Sequence, residues 1–408
     1  MGDFYQNGLV TTLHNFHNID VEELEKKLLK FAKKRPMGLI IPSLASEMET
    51  PALKNIVNIL KDIDYIGEIV IGLDKASKEQ FEYAKEYFAV LSKDKDNPRH
   101  KIIWNEGPRM MQLKKKLEEK KIHLGDLGKG RNVWTCFGYM ISSGKSEAIA
   151  LHDADIVTYS KEMVGRLYYP VADPIFNYKF CKGYYFRADS TKLNGRVTRL
   201  MVTPLLRTLK KFFGPLEYLE FLDSFRYILA GEFSMRADVL KTVRIPSDWG
   251  LEVGILSEVQ RHNSFGRICQ VEIGDAYEHK HQEESLDNAS AGLSKMSNDI
   301  ARNIYAKLAT NGTVFNEGTF RSIKATYQRI ALDFVEQFNA DAIINGLTID
   351  RDREEHMVDM FAKNIYKAGI DYLDYPYQIP FMPSWKRVIS ALPDVMDEFY
   401  EIVEQDNK

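Results

Sequence analysis

The stretch Glu147-Ala148-Ile149-Ala150-Leu151-His152-Asp153-Ala154-Asp155 decides how this chain is interpreted. Its apolar first half predicts a buried strand, and two aspartates one residue apart follow that strand. Alternate side chains of an extended segment share a face, so the carboxylates of Asp153 and Asp155 can converge on one point. Two such oxygen ligands suit Mg²⁺ or Mn²⁺, ions that proteins commonly hold together with phosphate oxygens. An Asp-x-Asp pair on an exposed loop is usually a solvated turn, but the strand before it favours a metal site.

The composition describes a globular protein with no basic surface for nucleic acid. The 408 residues exceed one ordinary domain, so we expect one large domain and an appendage. Hydrophobic residues make up 44%, charged residues 28%, and the formal net charge is −3. No apolar run approaches the roughly 20 residues of a membrane span. The N-terminus lacks a basic region followed by an apolar one, and the three cysteines are far apart. We therefore expect a cytoplasmic protein with reduced thiols.

Strand and helix patterns alternate in the first part of the chain. Strands are predicted at residues 37–42, 66–74, 101–104 and the aspartate stretch, and helices at 21–34, 53–63, 78–91 and 132–142. Near-continuous apolar strands separated by helices are typical of a parallel α/β sheet covered on both faces. Ligands of such sheets bind at the carboxyl ends of the strands. Ser43, Asp74 and the Asp153–Asp155 pair all fall at or just beyond those ends.

The pattern changes after Asp155. Residues 176–187 are rich in aromatic side chains and predict strands of a mixed or antiparallel extension. Residues 196–213 predict a helix broken by Pro204, a further helix begins near Trp249, and residues 268–273 predict a strand. Helical patterns dominate from about residue 288, apart from the proline-rich residues 375–384. We expect a helical segment over 1–36, a domain over 37–285 divided at residue 155, and a helical extension over 286–408 for packing or oligomerisation.

Two further side chains suit this edge of the sheet. His279 follows a predicted strand, and a neutral imidazole there can join two carboxylates around a metal, although a surface histidine is equally consistent with the sequence. Lys129 stands between two glycines before a predicted helix, where backbone donors and an ammonium suit a phosphate. Taken alone, Gly128-Lys129-Gly130 would be an ordinary loop.

Two other motifs suit a phosphorylated or sugar ligand. Asn194-Gly195-Arg196-Val197-Thr198-Arg199 sets two arginines and a threonine around a predicted helix start. Arginine is unfavourable near that positive helix end unless an anion joins it, so the motif favours a phosphate or carboxylate site. Glu252, beside Trp249, could accept hydroxyl hydrogen bonds from a sugar or stabilise developing positive charge. A helix-start glutamate favoured by the helix dipole explains Glu252 equally well.

Together and in this order, these motifs resemble the retaining nucleotide-sugar glycosyltransferases of the glucosyl-3-phosphoglycerate synthase family. The resemblance spans residues 37–285 and is carried by Pro42-Ser43-Leu44, Asp74, Gly128-Lys129-Gly130, Asp153-Ala154-Asp155, Gly195-Arg196-Val197-Thr198, Leu229-Ala230-Gly231-Glu232, Trp249-Gly250-Leu251-Glu252 and His279. It implies an α/β, Rossmann-like GT-A sheet that binds the nucleotide sugar, with a mixed-sheet acceptor half. It further implies Mg²⁺ or Mn²⁺ as cofactor, UDP-glucose as donor and 3-phosphoglycerate as acceptor.

The resemblance also implies a role for each matching residue. The residues expected to contact the nucleotide sugar are Pro42, Ser43, Leu44, Glu47, Asp74, Lys129, Asp153, Ala154, Leu229, Ala230, Gly231 and Glu252. The metal ligands would be Asp153, Asp155 and His279, and the acceptor would bind Gly195, Arg196, Val197, Thr198 and His281. The family has Asn-Glu after Pro-Ala-Leu, whereas here Ala45-Ser46 follow Pro42-Ser43-Leu44 and Glu47 lies one residue later. His281 stands where the family has an acceptor-binding asparagine.

The resemblance further implies a same-face transfer. The metal and Lys129 neutralise the leaving diphosphate, whose departure creates oxocarbenium character at the sugar. Glu252, Asp155 and Arg196 are the candidate catalytic residues, and Arg196 and Thr198 orient the acceptor. The sequence places no obvious nucleophilic carboxylate, and the resemblance implies that a diphosphate oxygen takes the acceptor proton.

Other functions remain open on the sequence. GDP-mannose could replace UDP-glucose, and glycerate could replace 3-phosphoglycerate. A nucleotidyltransferase also uses paired aspartates, but this chain lacks the early Gly-rich, Arg-Lys loop of such enzymes. A non-catalytic sugar-binding protein is a third class. We expect a homodimer and no nucleic-acid or membrane partner.

Overall fold

A large mixed sheet forms the centre of the molecule. The computed structural model describes residues 6, 8–94, 96–188, 191–274, 277–278, 292–376 and 381–408. The strands of this described part are β1 Thr11–Leu13, β2 Met37–Leu44, β3 Ile66–Asp74, β4 His100–Trp104, β5 Ala148–Leu151, β6 Phe180–Tyr184, β7 Phe233–Arg236, β8 Ile245–Pro246, β9 Ile268–Glu272 and β10 Phe381–Met382. Eight of them form one sheet in the order β1-β9-β6-β7-β5-β2-β3-β4, and β8 pairs with β10.

The two halves of the sheet differ in direction. Strands β5, β2, β3 and β4 are parallel neighbours, as predicted for the first half of the chain. Strand β7 runs antiparallel to both β5 and β6, whereas β6, β9 and β1 are again parallel to one another. The mixed extension predicted after Asp155 is therefore present, and β7 is a strand that the sequence analysis did not predict.

Helices cover both faces of the sheet. They are α1 Val21–Ala32, α2 Pro51–Leu60, α3 Lys78–Phe88, α4 Pro108–Glu119, α5 Lys129–Ser143, α6 Lys161–Ala172, α7 Thr203–Phe213, α8 Glu217–Asp223, α9 Ala237–Thr242, α10 Leu251–His262, α11 Gly292–Thr310, α12 Glu317–Ile344, α13 Arg351–Asp374, α14 Trp385–Ala391 and α15 Val395–Asp406. Ile40 and Val70 belong to the core cluster that contains α5, while their neighbours Leu39 and Ile41 belong to the cluster of α1 to α3. This alternation explains why the strands are apolar on both faces.

Capping residues and prolines set several helix starts. The side chain of Asp20 accepts a hydrogen bond from the Glu23 amide at 2.7 Å, and Ser77 forms a capping box with Gln80. Pro108 occupies the first turn of α4, a helix that the sequence analysis missed. Pro204 was expected to break the helix over 196–213, but it lies in the first turn of α7. A π-helical turn over Val197–Val202 comes before it, so the irregularity precedes the proline.

The ends of the chain pack on the same sheet. The segment before residue 37, predicted as helical, contains α1 but also β1, which pairs with β9. The C-terminal extension is mainly helical, as predicted. Its helix α15 covers the edge strand β4, where Asn407 exchanges hydrogen bonds with the Ile102 backbone at 2.9 and 2.8 Å. Trp385 stacks on Trp134 at 4.1 Å between ring centroids, so the aromatic stretch around residue 385 contacts α5 of the same chain.

The boundary predicted between residues 285 and 286 lies outside the described residues, so the domain limits stay a prediction. None of the helices in the described ranges is long and apolar enough to cross a membrane.

Candidate active site

The carboxyl ends of β2 and β3 bring the first predicted side chains together. Pairing of the parallel strands sets Ser43 opposite Leu73 and Leu44 opposite Asp74. Pro42 belongs to the same strand end, and a short 3-10 helix, Ala45–Glu49, follows it. Ser43 is buried, and its hydroxyl donates to the Leu44 carbonyl at 3.0 Å. The predicted nucleotide-facing residues of these two strands are therefore direct neighbours.

Asp74 lies in a buried polar cluster at that edge. Burial and the charge of Glu106 raise the pKa of Asp74 to about 6, against the effect of Lys114 and of hydrogen bonds from Asn105 and Asn132. Burial lowers the pKa of Lys114 to about 8, and its ammonium donates to the Asn105 carbonyl at 2.8 Å. Lys114 belongs to α4 and was not predicted. Pro108 in the first turn, followed by Met110, Leu113 and Leu117 at helical spacing, is the signal that could have revealed that helix.

Lys129 connects two carboxylates from distant parts of the chain. It is the first residue of α5, and its ammonium lies 2.7 Å from Asp153 Oδ1 and 3.3 Å from Glu252 Oε1. Asp153 follows β5, whereas Glu252 lies in the first turn of α10. Desolvation disfavours the charge of Lys129, but the charges of Asp153 and Glu252 outweigh it and raise its pKa. Three residues that the sequence analysis selected separately thus form one cluster.

Asp155 lies among other acidic groups. Burial and the charge of Asp153 raise the pKa of Asp155 to about 7, and the charges of Glu232 and Glu47 act in the same direction while Lys129 opposes them. Ala154 between the two aspartates is buried. Glu47, one residue later than the family motif has its glutamate, is therefore close enough to influence this centre. The cluster has more negative than positive side chains, which is the charge distribution that suits a cation.

The loop of residues 229–231 closes over Asp153. A Cβ at Gly231 would lie 2.3 Å from Asp153 Oδ2, so only glycine allows this approach. Ala230 is fully buried, and its carbonyl accepts a hydrogen bond from the buried ammonium of Lys182. Leu229 is partly buried against the core. The motif predicted to face the sugar thus lies directly against the aspartate pair.

Glu232 is a functional candidate that had no predicted role. Its carboxylate is fully buried and accepts hydrogen bonds from Tyr185 at 2.8 Å and Tyr277 at 2.7 Å. Burial and the charge of Asp153 raise the pKa of Glu232. The rings of Tyr185 and Tyr277 stack at 3.7 Å between centroids. A lone glutamate within the apolar run 228–235, together with the aromatic residues 176–187, was the available signal.

The predicted acceptor loop lies beside this aromatic stack. Gly195 has a φ of +74°, a left-handed conformation that favours glycine, and Val197 and Thr198 are buried. A Cβ at Gly195 would lie 3.5 Å from the Arg187 side chain and 3.6 Å from the Tyr227 ring. Tyr227 packs on Tyr185 at 5.0 Å. The chain of contacts from Gly195 through the tyrosines to Glu232 therefore joins the loop to the aspartate centre.

Two buried polar atoms near this loop are unsatisfied. Thr198 Oγ1 and Arg187 Nε have no hydrogen-bond partner among the residues that the structure describes. Buried polar atoms are normally paired, so these two atoms are candidates for hydrogen bonds to a bound ligand. Arg196, half-buried, begins the π-helical turn beside Thr198. Arg187 was not predicted, since an isolated arginine after an aromatic strand carries no sequence signal of its own.

The third predicted metal ligand is His279. His279 and His281 lie outside the described residues. Within the described ranges, no group of three histidine, cysteine, aspartate or glutamate side chains is arranged to hold a metal. Asp153 and Asp155 nevertheless provide hard carboxylate oxygens in an acidic cluster, and this donor set suits Mg²⁺ or Mn²⁺.

The chain matches two named proteins over nearly its full length. A comparison with models of known protein families gave no match. The chain is 46% identical over 407 residues to the glucosyl-3-phosphoglycerate synthase of Persephonella marina, covering 100% of this chain and 99% of that protein. It is 43% identical over 404 residues to the protein of the same name from Methanococcoides burtonii, covering 98% and 96%. The chain belongs to the glucosyl-3-phosphoglycerate synthase family. It is therefore a member of a family of hexosyltransferases, as the sequence motifs implied.

Solved structures agree on the fold. One is glucosyl-3-phosphoglycerate synthase from Mycobacterium tuberculosis in complex with Mn²⁺, UDP-glucose and phosphoglyceric acid, with a TM-score of 0.52, 17% identity, and 74% of this chain and 88% of that chain covered. Another is mannosyl-3-phosphoglycerate synthase from Rubrobacter xylanophilus, with a TM-score of 0.54, 18% identity, and coverage of 75% and 83%. The predicted GT-A fold is thereby confirmed.

Proposed function

We propose that this chain transfers glucose from UDP-glucose to 3-phosphoglycerate with retention at the anomeric carbon, using Mg²⁺ or Mn²⁺. The observation that carries the proposal is the contact of Lys129 with both Asp153 and Glu252 at the carboxyl ends of the strands. The names of the two full-length relatives support the reaction. The Mycobacterium tuberculosis complex, which contains UDP-glucose, phosphoglyceric acid and Mn²⁺, supports the substrates and the cofactor.

The strand ends form the donor subsite in this proposal. Pro42, Ser43, Leu44 and Glu47 follow or end β2 and would contact the nucleoside together with Asp74. Asp153 and Asp155, joined by the predicted ligand His279, would hold the metal. When bound, the metal neutralises charge on the leaving diphosphate.

Lys129 and Glu252 act on opposite charges of the reacting donor. The ammonium of Lys129 binds the diphosphate oxygens and thereby stabilises the leaving group. Glu252, freed from Lys129, accepts hydrogen bonds from glucose hydroxyls and stabilises the positive charge that develops at the anomeric carbon. The acceptor hydroxyl attacks the same face, and a diphosphate oxygen takes its proton. Leu229, Ala230 and Gly231 border the sugar, because Gly231 packs against Asp153.

The loop 195–198 forms the acceptor subsite. Arg196 and Arg187 provide guanidinium groups for the phosphate and carboxylate of 3-phosphoglycerate, and Thr198 Oγ1 provides a further hydrogen bond. The backbone at Gly195 and Val197 approaches the ligand, and His281 would complete the subsite. These groups hold the acceptor hydroxyl on the same face of the sugar as the leaving diphosphate, so their contribution is orientation.

A substrate panel tests the proposal directly. The purified chain is given UDP-glucose or GDP-mannose with 3-phosphoglycerate or glycerate, with and without Mn²⁺ or Mg²⁺, and nucleoside diphosphate release and product mass are measured. We expect UDP release and glucosyl-3-phosphoglycerate only with UDP-glucose, 3-phosphoglycerate and metal. Preferred use of GDP-mannose or glycerate would overturn the proposed substrates. Pyrophosphate release from a nucleoside triphosphate would overturn the reaction class.

The cytoplasmic location and the homodimer belong to the same proposal. All three cysteines are buried free thiols, and Cys181 lies opposite Cys269 in adjacent strands without a disulfide, which supports a reducing compartment. Ile343 and Ile344 at the end of α12 are 68% and 83% exposed, which supports a contact between subunits. Light scattering on the purified chain measures the oligomeric state, and a monomer at micromolar concentration contradicts the dimer.

A further inference from the structure

The helical extension holds the acceptor loop through a buried ion pair. Arg199 lies immediately after the loop 195–198, and its side chain is 8% exposed. One guanidinium nitrogen donates to Glu354 Oε1 at 2.6 Å, and the other lies 3.4 Å from Oε2. Glu354 lies in the first turn of α13, and its side chain is 4% exposed. Arginine presents two donors to one carboxylate in a fixed fork, so this pair fixes the orientation of the guanidinium.

The same guanidinium holds the start of the loop. Arg199 Nε donates to the Asn194 carbonyl at 2.8 Å, and the guanidinium carbon lies 4.8 Å from the ring centre of Phe338 on α12. Asn194 in turn donates its amide hydrogen to the Arg187 carbonyl at 2.7 Å. Arg199 thus joins two helices of the extension to the residue that precedes Gly195.

Two further contacts hold the segment on either side. Before the loop, the Thr348 amide donates to the Thr191 carbonyl at 2.8 Å, and the backbones of Lys192 and Thr348 form an isolated parallel β-bridge. After the loop, the Tyr327 hydroxyl donates to the Leu200 carbonyl at 2.6 Å. Leu200 lies in the π-helical turn, whose i-to-i+5 geometry is rare and is frequent at functional sites. The extension therefore contacts residues 191–200 at three points.

We infer that the helical extension is part of the acceptor subsite, and that Glu354 is a positioning residue that acts through Arg199 on the carbonyl of Asn194. The inference rests on the proposed acceptor role of residues 195–198. Glu354 does not touch the acceptor. It orients the guanidinium that fixes the loop, so its removal weakens binding of a three-carbon phosphorylated acid and leaves binding of the nucleotide sugar unchanged.

Three variants of the full-length chain separate this role from stability. Glu354→Gln removes the charge but keeps a hydrogen-bond acceptor. The double variant R199M/E354L removes the pair with apolar side chains, which often replace a buried ion pair without loss of folding. Asn364→Ala is the matched control, because Asn364 is also buried on α13 but bonds only to Ser294 and Ser297 of α11 in the described residues.

Steady-state kinetics gives the first readout. We expect R199M/E354L to raise the KM for 3-phosphoglycerate about tenfold and Glu354→Gln to raise it less, with the KM for UDP-glucose unchanged in both. Asn364→Ala should leave both KM values at the wild-type level. Equal increases in the two KM values, or an unchanged KM for 3-phosphoglycerate in the double variant, would overturn the inference.

Hydrogen exchange gives a second readout that needs no turnover. In the wild type, the Asn194 amide donates to the Arg187 carbonyl and the Arg199 amide donates to the Gly195 carbonyl. They should exchange faster in R199M/E354L, while amides within α11 stay protected. If the wild type fails to use 3-phosphoglycerate, the proposed function falls, but exchange still tests the contact. Unchanged exchange over residues 191–202 in the double variant overturns the positioning role.

Discussion

Asp153 and Asp155 follow a strand in the middle of the sheet, whereas residues 195–198 run from a left-handed glycine into a π-helical turn that contacts helices from the far end of the chain. Sheet pairing brings the strand-end residues Ser43, Asp74 and Asp153 together, since β5, β2 and β3 are adjacent and parallel. The acceptor loop depends on Arg199 and Glu354, which are 155 residues apart in the sequence. The strand-end residues are thus positioned by backbone pairing in the sheet, and residues 195–198 by side-chain contacts with the helical extension.

The largest expected effect is at the aspartate pair. Asp155→Asn replaces a carboxylate of the predicted metal site by a neutral amide and so removes one negative charge. We expect kcat/KM for UDP-glucose to fall about 10³-fold, because the diphosphate charge is then poorly neutralised. Asp173→Asn is the control, as Asp173 is also buried but follows α6 away from the site. Diphosphate release measures both variants. Activity within tenfold of the wild type for Asp155→Asn would contradict the donor-side assignment.

For the ion pair that holds residues 195–198, the largest expected effect is on the free energy of unfolding. Glu354→Ala leaves Arg199 buried without its charge partner, which we expect to cost about 3 kcal/mol of unfolding free energy. Asp333→Ala removes the partner of Arg329 in an exposed i,i+4 pair and should cost about 0.3 kcal/mol. Urea unfolding of both variants measures this difference. Equal losses would mean that the buried pair does not stabilise the extension against the loop.

Lys129→Met separates the two regions by charge. Lys129 is the cation that contacts both Asp153 and Glu252, so we expect its loss to lower kcat about 10²-fold while the KM for 3-phosphoglycerate changes little. Lys54→Met, on the exposed side of α2, is the control. Single-turnover kinetics with saturating acceptor measures the effect. A change confined to the acceptor KM would show that Lys129 belongs to the other subsite.

This contrast also explains which parts of the site could be predicted. Apolar strands that lead into Ser43, Asp74 and Asp153 indicate their burial and position in the sequence itself, so the place of these side chains at one edge of the sheet was predicted correctly, while their roles stay a prediction. The contact among Lys129, Asp153 and Glu252 required three separate motifs to converge, and only Asp153 follows a strand, whereas the other two lie at helix starts. Arg199 belongs to the basic motif of residues 194–199, but nothing in its neighbours reveals Glu354 as a partner.

The features that the sequence did not predict depend on contacts with distant parts of the chain. Strand β7 has only four residues, and its antiparallel direction depends on its neighbours β5 and β6 rather than on its own sequence. Glu232 within an apolar run could not be classified without the tyrosine hydroxyls that satisfy it. The irregular helix before Pro204 was attributed to the proline, but it results from the π-helical turn that the extension packs against.

The tyrosine stack tests how independent the two regions are. Tyr185→Phe keeps the stacked ring but removes one of two donors to Glu232, which we expect to cost about 2 kcal/mol of unfolding free energy. Because Tyr185 lies between Glu232 and Tyr227, kcat/KM should fall about fivefold for both substrates. Tyr65→Phe is the control, since its buried hydroxyl has no partner among the described residues. A fall for one substrate alone would mean that the stack serves only one subsite.

The smallest expected effect lies at the outer strand β4 of the donor half, in the pH dependence of stability. Burial, with the charges of Lys101 and Arg99, lowers the pKa of His100 to about 4 from an unfolded value of 6.5. Between these values the unfolded chain binds a proton that the folded chain does not, so stability is lost as the pH falls below 6.5. His100→Gln should therefore remove on the order of 1 kcal/mol of the loss in unfolding free energy between pH 7 and 5. Urea unfolding at several pH values measures it, with His356→Gln on the exposed side of α13 as control. An identical pH dependence in His100→Gln and the wild type would mean that His100 does not contribute to the loss of stability at low pH.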